Sequence, residues 1–461
     1  MQAHLGRTGK EAPIFPLGLM YLAAALDTRH EVKILDLNLW EHDRAFAMLQ
    51  KHINDYKPDI AGLSIRNIDT TQRADRFFYF KTVRPTARLI KDTKPDTVVV
   101  FGGPGFSAFA HTIMERVPEC DFGVFLEGEE STSELLDNLE APERVRGIYF
   151  RRNGAVMFTG ERPPPDFSSL PMPLRGPEII DIKRYDDPNG SNIGIQSKRG
   201  CMLTCAYCNY PFLTGGRVRL RPPEKVVDEI EYLTSLGIKK FSFVDNVFNV
   251  PQSHAREICR EIIRRRLDVQ WNAWYEIKNT TRELVDLAQQ AGCVHFGFSP
   301  DGATDRMLAR LSKQITEKDI DRTVRIISRA HGARAGYNFF LLPGMSLRDL
   351  AKTLWFFVKI PLALRGRGRV FGLGWVRIMP HTRMLRAALR EGIIREDEQL
   401  LPHNEKDLNR LFYCKRSALF FDYSIIYAFG CIEHYLKPLV KAVLGRNRKK
   451  IQEGGVPPVL R

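Results

Sequence analysis

The stretch "SKRGCMLTCAYCNYP" (197–211) gathers three of the chain's eight cysteines into eight positions. A closed structural zinc site takes four ligands, commonly as two separated pairs of Cys or His. Cys201, Cys205 and Cys208 stand without a second pair, since Cys120, Cys259, Cys293, Cys414 and Cys431 are scattered singly. An iron–sulfur cube normally takes four thiolates, so three leave one iron open to bind something else. Spacings of four and three residues let one short loop reach three corners of such a cube.

The surroundings support a site in a loop after a strand. Upstream, residues 193–198 read as a strand; further strands fall near 240–245, 269–273, 294–299, 335–342 and 370–379. Helical patterns separate them near 224–236, 253–266, 281–291, 317–331, 346–358 and 382–391. In the first of these helices, Val226, Val227, Ile230 and Leu233 recur at helical spacing and Gly237 supplies the stop. Six βα units running in one direction predict a partial TIM-like (β/α)6 barrel with its chemistry in the loops after the strands.

Ahead of the barrel, "LGLMYLAAAL", "EVKILDLN", "DIAGLSI", "TVVVFGG" and "FGVFLEGEE" predict an α/β, doubly wound, Rossmann-like domain over 1–150. Ligands of such sheets sit at the carboxyl ends of the strands. A proline-rich linker is expected over 151–192, the barrel over 193–392 and a helical, basic C-terminal region over 393–461. That last region ends in Arg446, Arg448, Lys449 and Lys450, which would suit peripheral contact with an anionic membrane, although Asp422 and Glu433 interrupt its apolar face.

Composition sets the broad class. The 461 residues are 44% apolar and 10% aromatic, as in ordinary globular proteins, and carry a net charge of +15. The charge makes an acidic partner plausible, yet the basic residues are dispersed and no specific nucleic-acid module is evident. Sparse, clustered thiols point to a reducing, cytoplasmic setting. The apolar run at 17–26 reads as the first helix of a domain in preference to a signal peptide, because Glu11, Pro13 and Pro16 interrupt its approach. No apolar run reaches the roughly 18 residues of a membrane span.

The cysteine loop resembles that of the radical S-adenosylmethionine (radical SAM) enzymes, whose C-x-x-x-C-x-aromatic-C motif is matched by Cys201, Cys205, Tyr207 and Cys208. The resemblance implies a [4Fe-4S] cluster on the three cysteines. Its open iron is chelated by S-adenosylmethionine, which the reduced cluster cleaves to a 5′-deoxyadenosyl radical. It also implies an external one-electron reductant such as flavodoxin or ferredoxin. Family elements that contact S-adenosylmethionine fall on Tyr207, on Asp245 and Asn246 in "FVDNVFN", and on Asp301 in "FSPDG", where the family usually has G-I-E-S-G.

The domain order is similar to a subgroup with an N-terminal cobalamin-binding domain. That likeness places cobalamin contacts at Ser64, Arg66, Gly102, Gly103, Gly105 and Gly128. The apolar strand that usually opens this domain is missing before "PLGLMYLAAAL", and no D-x-H-x-x-G loop supplies a lower histidine ligand. The implied activity is methyl transfer to an unactivated carbon or phosphorus centre of a small molecule, lipid or peptide. The alternatives are a cobalamin-independent radical reaction (cyclisation, rearrangement or aminocarboxypropyl transfer) and, in another class, a basic nucleic-acid or membrane-surface binding protein with a structural metal. Trp271, Tyr337 and Arg377 are candidate substrate contacts at barrel strand ends.

Overall fold

The run "VVVFG" is β-branched and aromatic, closes on the pair Gly102 and Gly103, and forms β2 (Val98–Gly102), flanked on both sides in the front sheet. In the computed structural model, which describes residues 13–26, 30–73, 76–187 and 190–414, β2 pairs in parallel with β1 (Ile60–Ser64) and β3 (Phe122–Val124). The sheet order is β1-β2-β3-β4-β5, and the last two strands, β4 (Ile148–Arg152) and β5 (Ala155–Phe158), are antiparallel. Helices α1 (Leu17–Ala25), α2 (His42–Tyr56), α3 (Val83–Thr93), α4 (Pro104–Ala108), α5 (Ala110–Arg116) and α6 (Glu129–Asp137) accompany it.

Two expectations for this domain are corrected. Residues 31–35 form no strand. Their path is held instead at Asp36, which is buried and accepts the Tyr185 hydroxyl at 2.8 Å. The sheet also runs past residue 150: Asn153 and Gly154, both at positive φ, make the two-residue turn between β4 and β5. The irregular linker segment therefore starts after Phe158.

The second sheet has six parallel strands in the order β6 (Gly194–Ile195), β7 (Lys240–Phe243), β8 (Gln270–Tyr275), β9 (Cys293–Asp301), β10 (Arg334–Leu341) and β11 (Gly368–Trp375). It is an open barrel, since β6 and β11 are not paired to each other. Helices α7 (Pro223–Ser235), α8 (Gln252–Arg264), α9 (Arg282–Gln290), α10 (Glu317–Arg329), α11 (Leu347–Ala363) and α12 (Arg383–Arg390) follow the strands in turn. Capping boxes start α10 (Thr316 with Asp319) and α11 (Ser346 with Asp349), satisfying amides that the first helical turn leaves free.

The two sheets keep separate apolar cores and are joined by segments that run between them. Residues 393–414 return to the front domain, where Leu401 joins its core and the Arg116 guanidinium donates to the Leu401 and Pro402 carbonyls. No helix among the described residues is long and apolar enough to cross a membrane. The expected basic end at 446–450 lies outside the described residues.

Candidate active site

The cysteine loop leaves β6 through a short antiparallel pair, Lys198–Arg199 with Arg219–Leu220. Gly200 follows at φ +89°, where a Cβ would fall 1.9 Å from the Arg217 carbonyl oxygen, so the turn into Cys201 requires glycine. Further backbone bonds fix the loop: Cys201 N–H to Gly215 O (3.1 Å), Ala206 N–H to Leu311 O (2.8 Å) and Met384 N–H to Ala206 O (2.7 Å). All three cysteines are free thiols of intermediate exposure. Burial raises the Cys201 thiol and pushes Cys208 up to about 12, so these sulfurs ionise when a metal takes the place of the proton. Among the described residues no three His, Cys, Asp or Glu side chains converge on a point that would hold a single ion. Three thiols within eight residues of one loop suit three corners of a polynuclear cluster.

Tyr207 is fixed from behind. Its hydroxyl donates to Asp301 at 2.5 Å, and its ring meets Phe340 edge-on. Asp301 in turn pairs with Lys313 at 2.5 Å, and the Lys313 ammonium also donates to the Ser299 carbonyl and faces the Cys205 thiol. Lys313 is a site residue that reading the sequence missed.

The loop opens into a cavity of about 1160 Å³. Cys201, Cys205, Cys208, Tyr207 and Asn246 line it from the barrel, with Trp274 and Lys313. Ser64, Arg66, Gly102, Gly103 and Gly128 line it from the front domain. Gly103 sits at φ +92°, and a Cβ there would meet the Ile65 carbonyl oxygen at 2.9 Å and Ser64 Oγ at 3.0 Å. Bare backbone at these strand ends suits a bulky, flat ligand. Both the three-thiol loop and the glycine cradle thus fit the groups expected of them.

The remaining expected contacts are placed otherwise. Asp245 borders the cavity, but its carboxylate accepts Ser197 N–H (2.8 Å), Ser197 Oγ–H (2.5 Å) and Lys198 N–H (3.2 Å), which commits it to bracing the cysteine loop. Asp301 lies behind Tyr207 and off the cavity wall. Gly105 is also off the wall; it is glycine because a Cβ would reach the Ile65 carbonyl oxygen at 2.8 Å. Trp271 is in the core with its indole N–H bonded to the Ala291 carbonyl, and Tyr337 stacks on Phe298 there. Arg377 is buried against Asp69 at 3.1 Å and donates to the Leu400 carbonyl, so it joins the domains and has no face toward the cavity.

A second interdomain junction lies beside the cysteines. Arg199 reaches Glu127 at 2.8 Å, in the turn after β3, and Glu129 at 2.6 Å, at the start of α6, while its guanidinium lies over Tyr21 and Phe167. Arg219 bonds Glu127 as well. The ion cluster fixes the front domain's strand ends relative to the loop two residues before Cys201.

Comparison with known proteins agrees with this arrangement. Residues 195–357 match the family model described as the radical SAM superfamily, and residues 11–136 match the B12 binding domain. An uncharacterized methyltransferase of Pyrococcus horikoshii is 27% identical over 354 residues, covering 75% of this chain and 74% of that protein. The cytidylyl-2-hydroxyethylphosphonate methyltransferase of Streptomyces wedmorensis is 27% identical over 381 residues, covering 72% and 69%. The structure of TsrM, a radical S-adenosylmethionine methyltransferase of Kitasatospora setae with cobalamin and a [4Fe-4S] cluster bound, has a similar fold at a TM-score of 0.72. It is 24% identical, and the match covers 82% of this chain and 76% of that one. With a three-cysteine loop at the mouth of an open six-stranded barrel and a B12-type domain packed over it, this chain carries a radical SAM domain preceded by a B12-binding domain.

Proposed function

We propose that this protein is a methyltransferase that uses S-adenosylmethionine and cobalamin to methylate a carbon or phosphorus centre of a small molecule, in the cytoplasm and with an external one-electron reductant. One observation carries the reading: the three free cysteines and the glycine strand ends of the front domain line the same cavity. When bound, the cluster supplies the electron that breaks a sulfonium bond and the corrin supplies a methyl carrier. Cys201, Cys205 and Cys208, which line the cavity, would hold the cluster through three thiolates. Ser64, Arg66, Gly102, Gly103 and Gly128, on the front-domain wall of the cavity, would hold the corrin.

The rest of the chain orients and excludes. Lys313 places a positive charge beside Cys205, which favours an electron-rich sulfur. Tyr207 and Asp245 keep the loop's shape, and Trp274 presents an apolar wall that displaces water from the barrel mouth. The methyltransferase relatives support the reaction class.

The test is anaerobic reconstitution with iron, sulfide and cobalamin quantified in one sample, followed by identification of the products of S-adenosylmethionine after reduction. About four irons per chain with near-stoichiometric cobalamin, and S-adenosylhomocysteine among the products, are expected. A full cluster with no cobalamin retained, even when it is supplied, would overturn methyl transfer and favour a cobalamin-independent radical reaction.

A further inference from the structure

Helix α11 turns Phe356 and Ile360 into the barrel, and its opposite face is apolar too. Leu347, Trp355 and Leu362 are 86%, 51% and 45% exposed. Spacings of eight and seven residues keep them in one stripe, with exposed Ala351 and half-buried Val358 between them. The stripe runs about 22 Å along the helix at the usual rise per residue. Single exposed apolar residues need no explanation, whereas an aligned stripe marks an interaction surface.

The charge around it has one sign. Helix α10 packs alongside and exposes Lys318, Arg325 and Arg329, while Arg348 and Arg365 are exposed at the two ends of α11 and Arg369 at the start of β11. Every carboxylate of these two helices is already paired: Glu317 with Lys352, Asp319 with Arg322, Asp321 with Lys359, and Asp349 with Arg306. The outward field is therefore positive. A leucine and tryptophan stripe flanked by lysine and arginine is the composition of a helix that lies in a membrane interface.

We propose that the α10–α11 face seats the protein on an anionic bilayer surface. The stripe enters the headgroup region and the flanking arginines meet lipid phosphates. A convex single-helix ridge suits a deformable bilayer, which needs no matching groove. The surface is separate from the cavity, so it stands or falls independently of methyl transfer.

The test uses the full chain with vesicles of phosphatidylcholine alone or mixed with phosphatidylglycerol. Sedimentation with the anionic vesicles is expected, weakening as salt rises. A combined Leu347→Ser, Trp355→Ser, Leu362→Ser variant is expected to bind at least tenfold more weakly with unchanged circular dichroism. Lipids brominated in their acyl chains should quench Trp355, seen as quenching that the Trp355→Phe variant lacks. Equal quenching in the two proteins would place the contact elsewhere, for instance in the basic run at 446–450, and would overturn the proposal. Absence of binding to anionic vesicles would overturn it, as would a dimer that the triple variant abolishes with no vesicle binding.

Discussion

Tyr207, the aromatic residue between the second and third cysteines, donates its hydroxyl to Asp301 at 2.5 Å, and the same carboxylate pairs with Lys313. Asp301 is 1% exposed. Burial alone raises its carboxyl, and the Lys313 ammonium and the Tyr207 hydroxyl oppose that rise. Removing the charge would strand a buried ammonium beside Cys205. Asp301→Asn, whose side chain tolerates the local φ of +63°, is expected to lose about 3–5 kcal/mol of stability. In Asp301→Asn with Lys313→Met most of that loss should return. Urea unfolding of the four proteins in the cycle measures it, and a double variant no more stable than Asp301→Asn alone would rule the pairing out as the cause.

Lys198 gives a pH dependence with a definite sign. Its ammonium is 4% exposed and donates to the Phe248 carbonyl at 2.5 Å, and burial pulls it down to about 8. The unfolded chain holds its proton up to about pH 10.4. Between those values the unfolded state binds more protons, so this residue makes stability rise with pH from about 8 to about 10.4, by roughly 3 kcal/mol at most. Below pH 8 both states are protonated and its contribution is flat. The stability difference between wild type and Lys198→Met, followed from pH 7 to 10.5, should show this rise; parallel curves would assign the pH dependence to other groups.

Much of this was legible because helical and strand periods leave a mark in one dimension. Val226, Val227, Ile230 and Leu233 announce α7, and Gly237 ends it at φ +85°. The three cysteines announce the site because their spacing is local. Which face of a strand looks inward was not legible, since both faces of a parallel sheet are apolar. Trp271 and Trp274 lie three residues apart on β8 and therefore point to opposite sides; the second lines the cavity and the first packs in the core. Partners distant in sequence were equally silent. Nothing along the chain joins Asp301 to Lys313 as a pair, or Arg199 to Glu127 and Glu129, although an acidic run after β3 and an arginine beside a cysteine motif were there to be noticed. The Asn153–Gly154 turn was a readable hairpin signal that the proline-rich stretch after it obscured.

Arg199 joins the domains at a point where neither side tolerates its loss. Glu127 and Glu129 are 10% and 6% exposed on their side chains. Arg199→Met leaves the Glu129 carboxylate facing an apolar stub, while Glu127 keeps Arg219, and is expected to cost about 3–5 kcal/mol. Arg199→Lys should recover only part of this, because a point charge cannot serve two carboxylates as a guanidinium fork does. Limited proteolysis within residues 159–181 should quicken in step with the loss. Unchanged unfolding and cleavage in Arg199→Met would show that the domains are held by other contacts, Arg377 with Asp69 among them.

Gly103 separates the two cofactor sites experimentally. Its φ of +92° and the 2.9 Å approach of a Cβ to the Ile65 carbonyl oxygen mean that alanine cannot be accepted without moving the end of β1. With ψ at 169° this backbone lies in a region that essentially only glycine occupies, and alone costs about 1–3 kcal/mol for alanine. Moving that strand end displaces Ser64, whose Oγ would lie 3.0 Å from the new methyl, and distorts the wall on the front-domain side of the cavity. Gly103→Ala is therefore expected to retain iron and sulfide at wild-type levels while its cobalamin content falls at least fivefold. Gly374→Ala is the control, with nothing within 4 Å of its Cβ position, and should keep both. Loss of iron together with cobalamin would mean that the front domain and the cysteine loop respond as one unit. Full cobalamin in Gly103→Ala would remove this turn from the cradle.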